Sequence, residues 1–126
     1  MITLIRRRLK RFSAMHWLPN VGSSHKCANQ HGHNYVVWVE VQGPVGEETG
    51  WIVDTALLDS IWKPIHAKLD HQEGGLNAVK GLENPTTELL AQWIHERFAA
   101  ALRNEVVISL EITVIESEDS EAVCLG

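Results

Sequence analysis

Two histidines stand two residues apart in the stretch Cys27-Ala28-Asn29-Gln30-His31-Gly32-His33. Side chains alternate between faces on an extended backbone, so His31 and His33 share a face and can chelate one metal ion. Gly32 points the other way and leaves the chain unhindered. Cys27 lies four residues upstream, outside ligand spacings such as C-x-x-C, which makes it a neighbour of a metal rather than a ligand. A lone His-x-His is more often a polar turn entering a strand; here a third imidazole changes the reading. Phe12, Ala14 and His16 alternate onto one face of an earlier extended stretch. Three neutral imidazoles suit zinc, and three protein ligands leave a fourth position open, as catalytic sites do. A thiol beside a metal-bound substrate serves as a base once its pKa is lowered. Asp70 adjoins His71, a carboxylate able to orient an imidazole. Glu116 is a further carboxylate, at a strand end.

The elements that must position these groups follow from periodicity. Residues 2–16 read as one strand, and residues 20–30 as a loop carrying Cys27. A second strand over 31–42 places His31, His33, Tyr35, Val37, Val39 and Val41 on one face. Trp51-Ile52-Val53 is a short extended piece. Asp54 caps a helix over 55–69, distorted at Pro64. After a loop over 72–84, Asn84 as cap and Pro85 in the first turn open a second helix over 85–102. A third strand over 106–115 sets Val106, Ile108, Leu110, Ile112 and Val114 towards the core, with Glu116 at its end. An acidic turn, Ser117 to Glu121, leads to a last strand over 122–125. The order strand, strand, helix, helix, strand, strand implies an α+β fold, with both helices on one face of an antiparallel sheet. Its open edges invite pairing between subunits.

A chain of 126 residues is one domain, 1–126. Its 44% hydrophobic and 21% charged residues fit a soluble globular protein able to bury a core. A formal net charge of -5 argues against a nucleic-acid surface, and no apolar stretch is long enough for a membrane span. Met1 to Ile5 runs straight into Arg6-Arg7-Arg8, unlike a signal peptide. Two cysteines, Cys27 and Cys124, make no disulfide framework and suit the cytoplasm; Cys124 reads as a small core residue. The basic run from Arg6 to Arg11 is either a charge-guarded strand edge or an electropositive rim for an anionic substrate.

Six motifs occur in register over nearly the whole chain. They are Phe12-Ser13-Ala14-Met15-His16, Cys27-x-x-x-His31-Gly32-His33-x-Tyr35, Gly50-Trp51-Ile52-Val53-Asp54, Leu69-Asp70-His71 with Leu76-Asn77, Asn84-Pro85-Thr86-x-Glu88, and Glu116. Together they resemble the 6-pyruvoyl-tetrahydropterin synthase family. The three-residue gap between Cys27 and His31 resembles its bacterial branch, the 6-carboxy-5,6,7,8-tetrahydropterin synthases (QueD). The resemblance implies a T-fold (tunnelling fold), ββααββ, whose sheets close into a barrel in a homotrimer or homohexamer with sites between subunits. It implies zinc on His16, His31 and His33, Cys27 as catalytic base, Asp70 and His71 as a relay pair, and Glu116 as the acid anchoring the pterin ring. Thr86, Thr87 and Glu88 fall where the family lines its pterin pocket. The implied substrate is 7,8-dihydroneopterin triphosphate. The implied products are 6-carboxy-5,6,7,8-tetrahydropterin, acetaldehyde and triphosphate, in 7-deazaguanine and queuosine synthesis. Two alternatives stay open: a 6-pyruvoyl-tetrahydropterin synthase that leaves the side chain uncleaved, and a non-catalytic zinc-binding module with Cys27 as fourth ligand. The acidic run 117–121 departs from the family pattern; Glu118 competes with Glu116 for the anchor role, and strand register favours Glu116.

Overall fold

The long strand that begins with His31 is the spine of the molecule. In the computed structural model, which describes residues 1–126, this strand β3 (His31–Gly43) pairs with three others. Strands β1 (Thr3–Arg8) and β2 (Phe12–His16) lie along successive halves of one of its edges, and β4 (Ser109–Ser117) along the other. Strand β5 (Ser120–Cys124) completes an antiparallel sheet in the order β1-β3-β4-β5. Helices α1 (Thr55–Leu69) and α2 (Thr87–Ala101) cover one face. No helix is long and apolar enough to cross a membrane.

The single strand expected over 2–16 is divided. Arg8 pairs with Trp38 and Phe12 with Tyr35, so four steps on one chain meet three on the other. That extra residue is a bulge, and it reverses which face each position takes. Ile5 and Arg7 point inward on β1, whereas Phe12, Ala14 and His16 point inward on β2, opposite Tyr35, His33 and His31. Leu9 sits in the bulge, buried, with its amide donating to the Val37 carbonyl. Without the shift His16 would face away from the other two histidines.

Val37, Val39, Val41, Ile112 and Val114 form the inner face of the sheet, all buried, and pack against Leu58, Trp62, Ile65, Leu90, Ile94 and Phe98 of the helices. Each such side chain removed from water contributes about 1.5–3 kcal/mol before entropy is counted. Asp54 caps α1 as expected, its side chain accepting from the Ala56 amide, and the helix continues through Pro64. For α2 the expectation needs correction. The cap is Thr86, whose hydroxyl accepts from the Leu89 amide at 3.1 Å, and Pro85 precedes the helix. A side-chain oxygen that reaches the third amide decides the start, and Asn84 instead offers its carbonyl to the Thr86 amide. The third strand also begins later and ends later than expected. Val106 and Ile108 are 70% and 60% exposed, ahead of the ladder, and Glu116 lies within β4 rather than beyond it. Trp51 to Val53 makes bends, not a strand. The last strand starts at Ser120, two residues before the expected position, because the acidic turn is a tight hairpin pairing Ser117 with Ser120.

Strand β2 has no second strand beyond it; the segment after α1 takes that place. The Ser13 amide donates to Asp70 Oδ1 at 2.9 Å, and the His71 amide donates to the Ser13 carbonyl at 2.8 Å. Asn77 clamps the next contact point, accepting from the Trp17 amide at 3.1 Å and donating to the Trp17 carbonyl at 2.8 Å. Gly75, with φ +71, passes so close that a Cβ there would fall 2.5 Å from the Met15 carbonyl oxygen, a place only glycine can occupy.

The Ser13 amide, with the His71 side chain, holds the Asp70 carboxyl below the ordinary 3.8. A carboxyl depressed in the folded state stabilises the fold fully above its unfolded value and loses that effect as pH falls through the folded value. The stability difference between wild type and Asp70→Asn is therefore expected to be constant near neutrality and to shrink below pH 3.8, read from chemical denaturation across a pH series. A difference independent of pH would show that the clamp does not depend on the ionised carboxylate.

Candidate active site and metal centre

The register of β2 on β3 places His16 directly opposite His31, with His33 two residues along on the same face. The ring centroids of His16 lie 4.5 Å from His31 and 5.1 Å from His33, and those of His31 and His33 lie 5.1 Å apart. One ligand atom from each falls within 4.8 Å of the other two, close enough to hold one metal ion. Neither Cys27 nor Glu116 belongs to this set.

Backbone carbonyls orient two of the rings. His16 Nδ1 lies 2.8 Å from the Pro85 carbonyl oxygen, and His31 Nδ1 lies 2.8 Å from that of Asn29. A carbonyl only accepts, so each Nδ1 carries the proton and each Nε2 keeps a free lone pair, the arrangement that metal-binding histidines adopt. The Nε2 atoms of His16 and His33 are buried with no hydrogen-bond partner. Such orphans cost about 1–3 kcal/mol each, and a bound cation removes that cost. Burial pushes the His16 pKa below 6.5, against the pull of the Pro85 carbonyl; burial also lowers His33, against the charge of Glu116. Both rings are thus held in the neutral form that ligates a metal. The donor set fits a divalent cation with an open coordination position.

Beside the triad opens a cleft of about 850 Å³, lined among others by His16, His31, Cys27, Thr86, Thr87 and Glu116. Glu88 lines it as well. Cys27 sits in a single 3-10 turn, Lys26–Ala28. Its amide donates to His25 Nδ1 at 3.0 Å and its carbonyl accepts from the Leu18 amide at 2.8 Å, so both sides of the residue are fixed. Glu116 points inward from β4, the Thr87 hydroxyl donates to its Oε2, and its Oε1 lies 3.5 Å from His33 Nε2. Glu118 does not line the cleft. Beneath, buried Tyr35 is held protonated by burial first and by Glu116 second, both raising its pKa.

Asp70 and His71 are together but elsewhere. His71 Nδ1 lies 2.9 Å from Asp70 Oδ1, and the His71 side chain is 76% exposed. It borders a recess with Met15, Gly32 and Asn34, which point to the other face of the β2–β3 ribbon, and the same recess also reaches Ala14 and His33. The own-chain cleft holding Cys27 is lined by neither Asp70 nor His71. Sequence reasoning missed Leu18, the hairpin run 119–123, Gln92 and Cys124 among the cleft residues. Gln92 stands four residues after Glu88, hence on the same helix face, which was a usable signal. Cys124, read as a core residue, is half-buried: it packs on the core from opposite Ile112 and also lines the cleft. Two of the five cations in the basic run are consumed by their own chain, Arg6 pairing with Glu40 at 2.7 Å and Arg7 with Asp59 at 2.6 Å. That favours the charge-guarded edge over a rim for an anion.

Removing one nitrogen leaves two, too few to hold a catalytic ion tightly. His31→Ala and His33→Ala are each expected to lose stoichiometric divalent metal in elemental analysis, while Cys27→Ala and Cys124→Ser keep it. Full metal content in either histidine variant would refute the triad.

Comparison with known proteins agrees with this geometry. The family model described as 6-pyruvoyl tetrahydropterin synthase matches residues 5–126. A Dictyostelium discoideum protein named 6-pyruvoyl tetrahydrobiopterin synthase is 34% identical over 104 residues, covering 80% of this chain and 74% of its own. A Synechocystis protein named 6-carboxy-5,6,7,8-tetrahydropterin synthase is 36% identical over 95 residues, covering 71% and 70%. The structure of Caenorhabditis elegans 6-pyruvoyl tetrahydropterin synthase matches with a TM-score of 0.86 at 26% identity, over 100% of this chain and 96% of that one. With the α+β T-fold and a histidine triad able to hold a metal in place, the chain belongs to the 6-pyruvoyl tetrahydropterin synthase family and is an enzyme of the pterin synthase class.

Proposed function

We propose that the chain is a zinc-dependent 6-carboxy-5,6,7,8-tetrahydropterin synthase. On this reading 7,8-dihydroneopterin triphosphate and a water yield 6-carboxy-5,6,7,8-tetrahydropterin, acetaldehyde and triphosphate, a step towards 7-deazaguanines such as queuosine. The observation that carries it is an inward three-imidazole cluster, two of whose rings, His16 and His31, line one cleft together with Cys27 and the inward Glu116 carboxylate. The Synechocystis relative carries the 6-carboxy name, and the three-residue gap between Cys27 and His31 belongs to the same branch resemblance. The Dictyostelium relative favours a second reading, in which triphosphate is eliminated and the side chain stays whole. A closed structural site with Cys27 as fourth ligand is disfavoured, since Cys27 lies outside the set of close ligand atoms.

A zinc ion on His16, His31 and His33 would supply Lewis acidity towards the substrate side-chain hydroxyls. Cys27 then takes a proton from the activated side-chain carbon as thiolate. Glu116 accepts two hydrogen bonds from the 2-amino and ring N–H edge of the pterin, and the Thr87 hydroxyl sets the plane of that carboxylate. Thr86, Thr87 and Glu88, at the start of α2, border the ring. The Asp70–His71 pair returns a proton to the substrate held in a neighbouring subunit's cleft, because on its own chain neither residue lines the Cys27 cleft. Assembly into a trimer or hexamer is supported by two open sheet edges, β1 and β5, and by exposed Ile2, Leu4 and Val123 near them.

The direct experiment is incubation with 7,8-dihydroneopterin triphosphate and mass-spectrometric identification of the pterin. A 6-carboxy product with acetaldehyde is expected; a pterin with an intact three-carbon side chain would support the second reading instead. Cys27→Ala is expected to lower kcat by about two to four powers of ten with pterin binding nearly unchanged. Glu116→Gln sets donor against donor and is expected chiefly to raise KM. Mixed Cys27→Ala and His71→Ala subunits are expected to regain activity; a mixture as inactive as its components would contradict the shared site.

A further inference from the structure

The metal cleft is acidic. Glu88, Glu116, Asp119 and Glu121 line it, and no lysine or arginine does. A polyphosphate finds no counter-charge from this chain there. On the other flank of α2 lies a second cleft of about 740 Å³, and Gln92 borders both. Lys68 at the end of α1, Lys80 in the turn before α2 and Arg97 on α2 line it, against one carboxylate, Glu96. None of these three cations has a carboxylate oxygen within 4.0 Å, although the chain as a whole carries -5. Their ionic capacity is therefore unspent within the chain.

This wall is built rather than a chance gathering of mobile side chains. The Arg97 guanidinium carbon lies 3.4 Å from the centroid of the Trp93 ring, and its Nη1 donates to the Trp93 carbonyl at 2.9 Å. The indole Nε1 donates in turn to the Lys80 carbonyl at 3.1 Å. Gly81, with φ +92, is pressed on the same indole, where a Cβ would stand 3.2 Å from Cδ1 and Nε1. Guanidinium, indole and the turn bearing Lys80 are thus stacked as one unit. The N–H groups that Arg97 does not spend on Trp93 are fixed in a planar fork, which suits phosphate oxygens.

We propose that the cleft between the end of α1, the turn at Lys80 and α2 is a binding site for a polyphosphate group. The occupant is either the tail of a phosphorylated substrate reaching past Gln92 or a free polyphosphate. The first source rests on the pterin triphosphate reading; the site itself does not.

Titration of inorganic triphosphate into the metal-loaded protein at low ionic strength, followed by calorimetry, tests the site without turnover. Binding that weakens with salt is expected. Lys68→Ala and Lys80→Ala should each weaken it about ten-fold, and Glu96→Gln should tighten it. Lys80 serves the turn through its carbonyl, so truncation of its exposed side chain preserves the fold. No binding, or binding equal in wild type and both lysine variants as when triphosphate merely ligates the metal, would overturn the proposal. A second arm identifies the source. A KM raised by Lys80→Ala for triphosphorylated but not for unphosphorylated dihydroneopterin supports the substrate tail; unchanged KM values alongside weakened triphosphate binding support a free polyphosphate.

Discussion

Everything at the site depends on the pairing of His16 with His31 across two antiparallel strands. That pairing exists because one extra residue between Arg8 and Phe12 shifts the register of the N-terminal segment on β3. Shifts of one residue exchange the faces of a strand, so the bulge decides whether the third imidazole meets the other two. The Pro85 and Asn29 carbonyls then direct lone pairs of His16 and His31 inward, and burial lowers the pKa of His16 and His33. The protein holds partnerless nitrogens at a cost in stability that a metal ion would repay.

Much of the remaining chain serves to hold β2 in place. Asp70, Asn77 and Gly75 act on the edge of β2 that no strand covers, through hydrogen bonds to Ser13 and Trp17 and close approach to Met15. These residues sit among motifs that otherwise invite a purely catalytic reading. For Asn77 the clamp on Trp17, next to His16, is a sufficient physical account. Asp70 has two engagements at once: Oδ1 takes the Ser13 amide and also meets the His71 ring. Helix α2 joins the two clefts, with its first turn beside Glu116 and its later turns carrying Gln92, Trp93 and Arg97.

Local signals were legible and long-range ones were not. Helix α1 was readable to its ends, because Asp54 is a strong cap and Leu58, Trp62, Ile65 and Leu69 repeat at helical spacing. The His31–His33 face was readable because a strand has a period of two. The start of α2 misled because Asn84-Pro85 and Thr86-Thr87 both resemble helix openings, and the choice lies in which oxygen reaches an amide. The bulge left no mark in the basic run, since register is a property of two strands and only one is seen at a time. Val106 and Ile108 continue the alternation of β4 yet lie outside its ladder, so periodicity alone overextended that strand. The separation of the Asp70–His71 pair from Cys27 is tertiary, and spacing along the chain carries no trace of it.

The central claim, an open three-imidazole metal site, is most directly tested by X-ray absorption spectroscopy at the zinc edge on the metal-loaded protein. Three imidazole nitrogens at about 2.0–2.1 Å with one further oxygen, and no sulfur, are the result this account predicts. A sulfur scatterer at about 2.3 Å would place Cys27 on the metal, close the site, and contradict it.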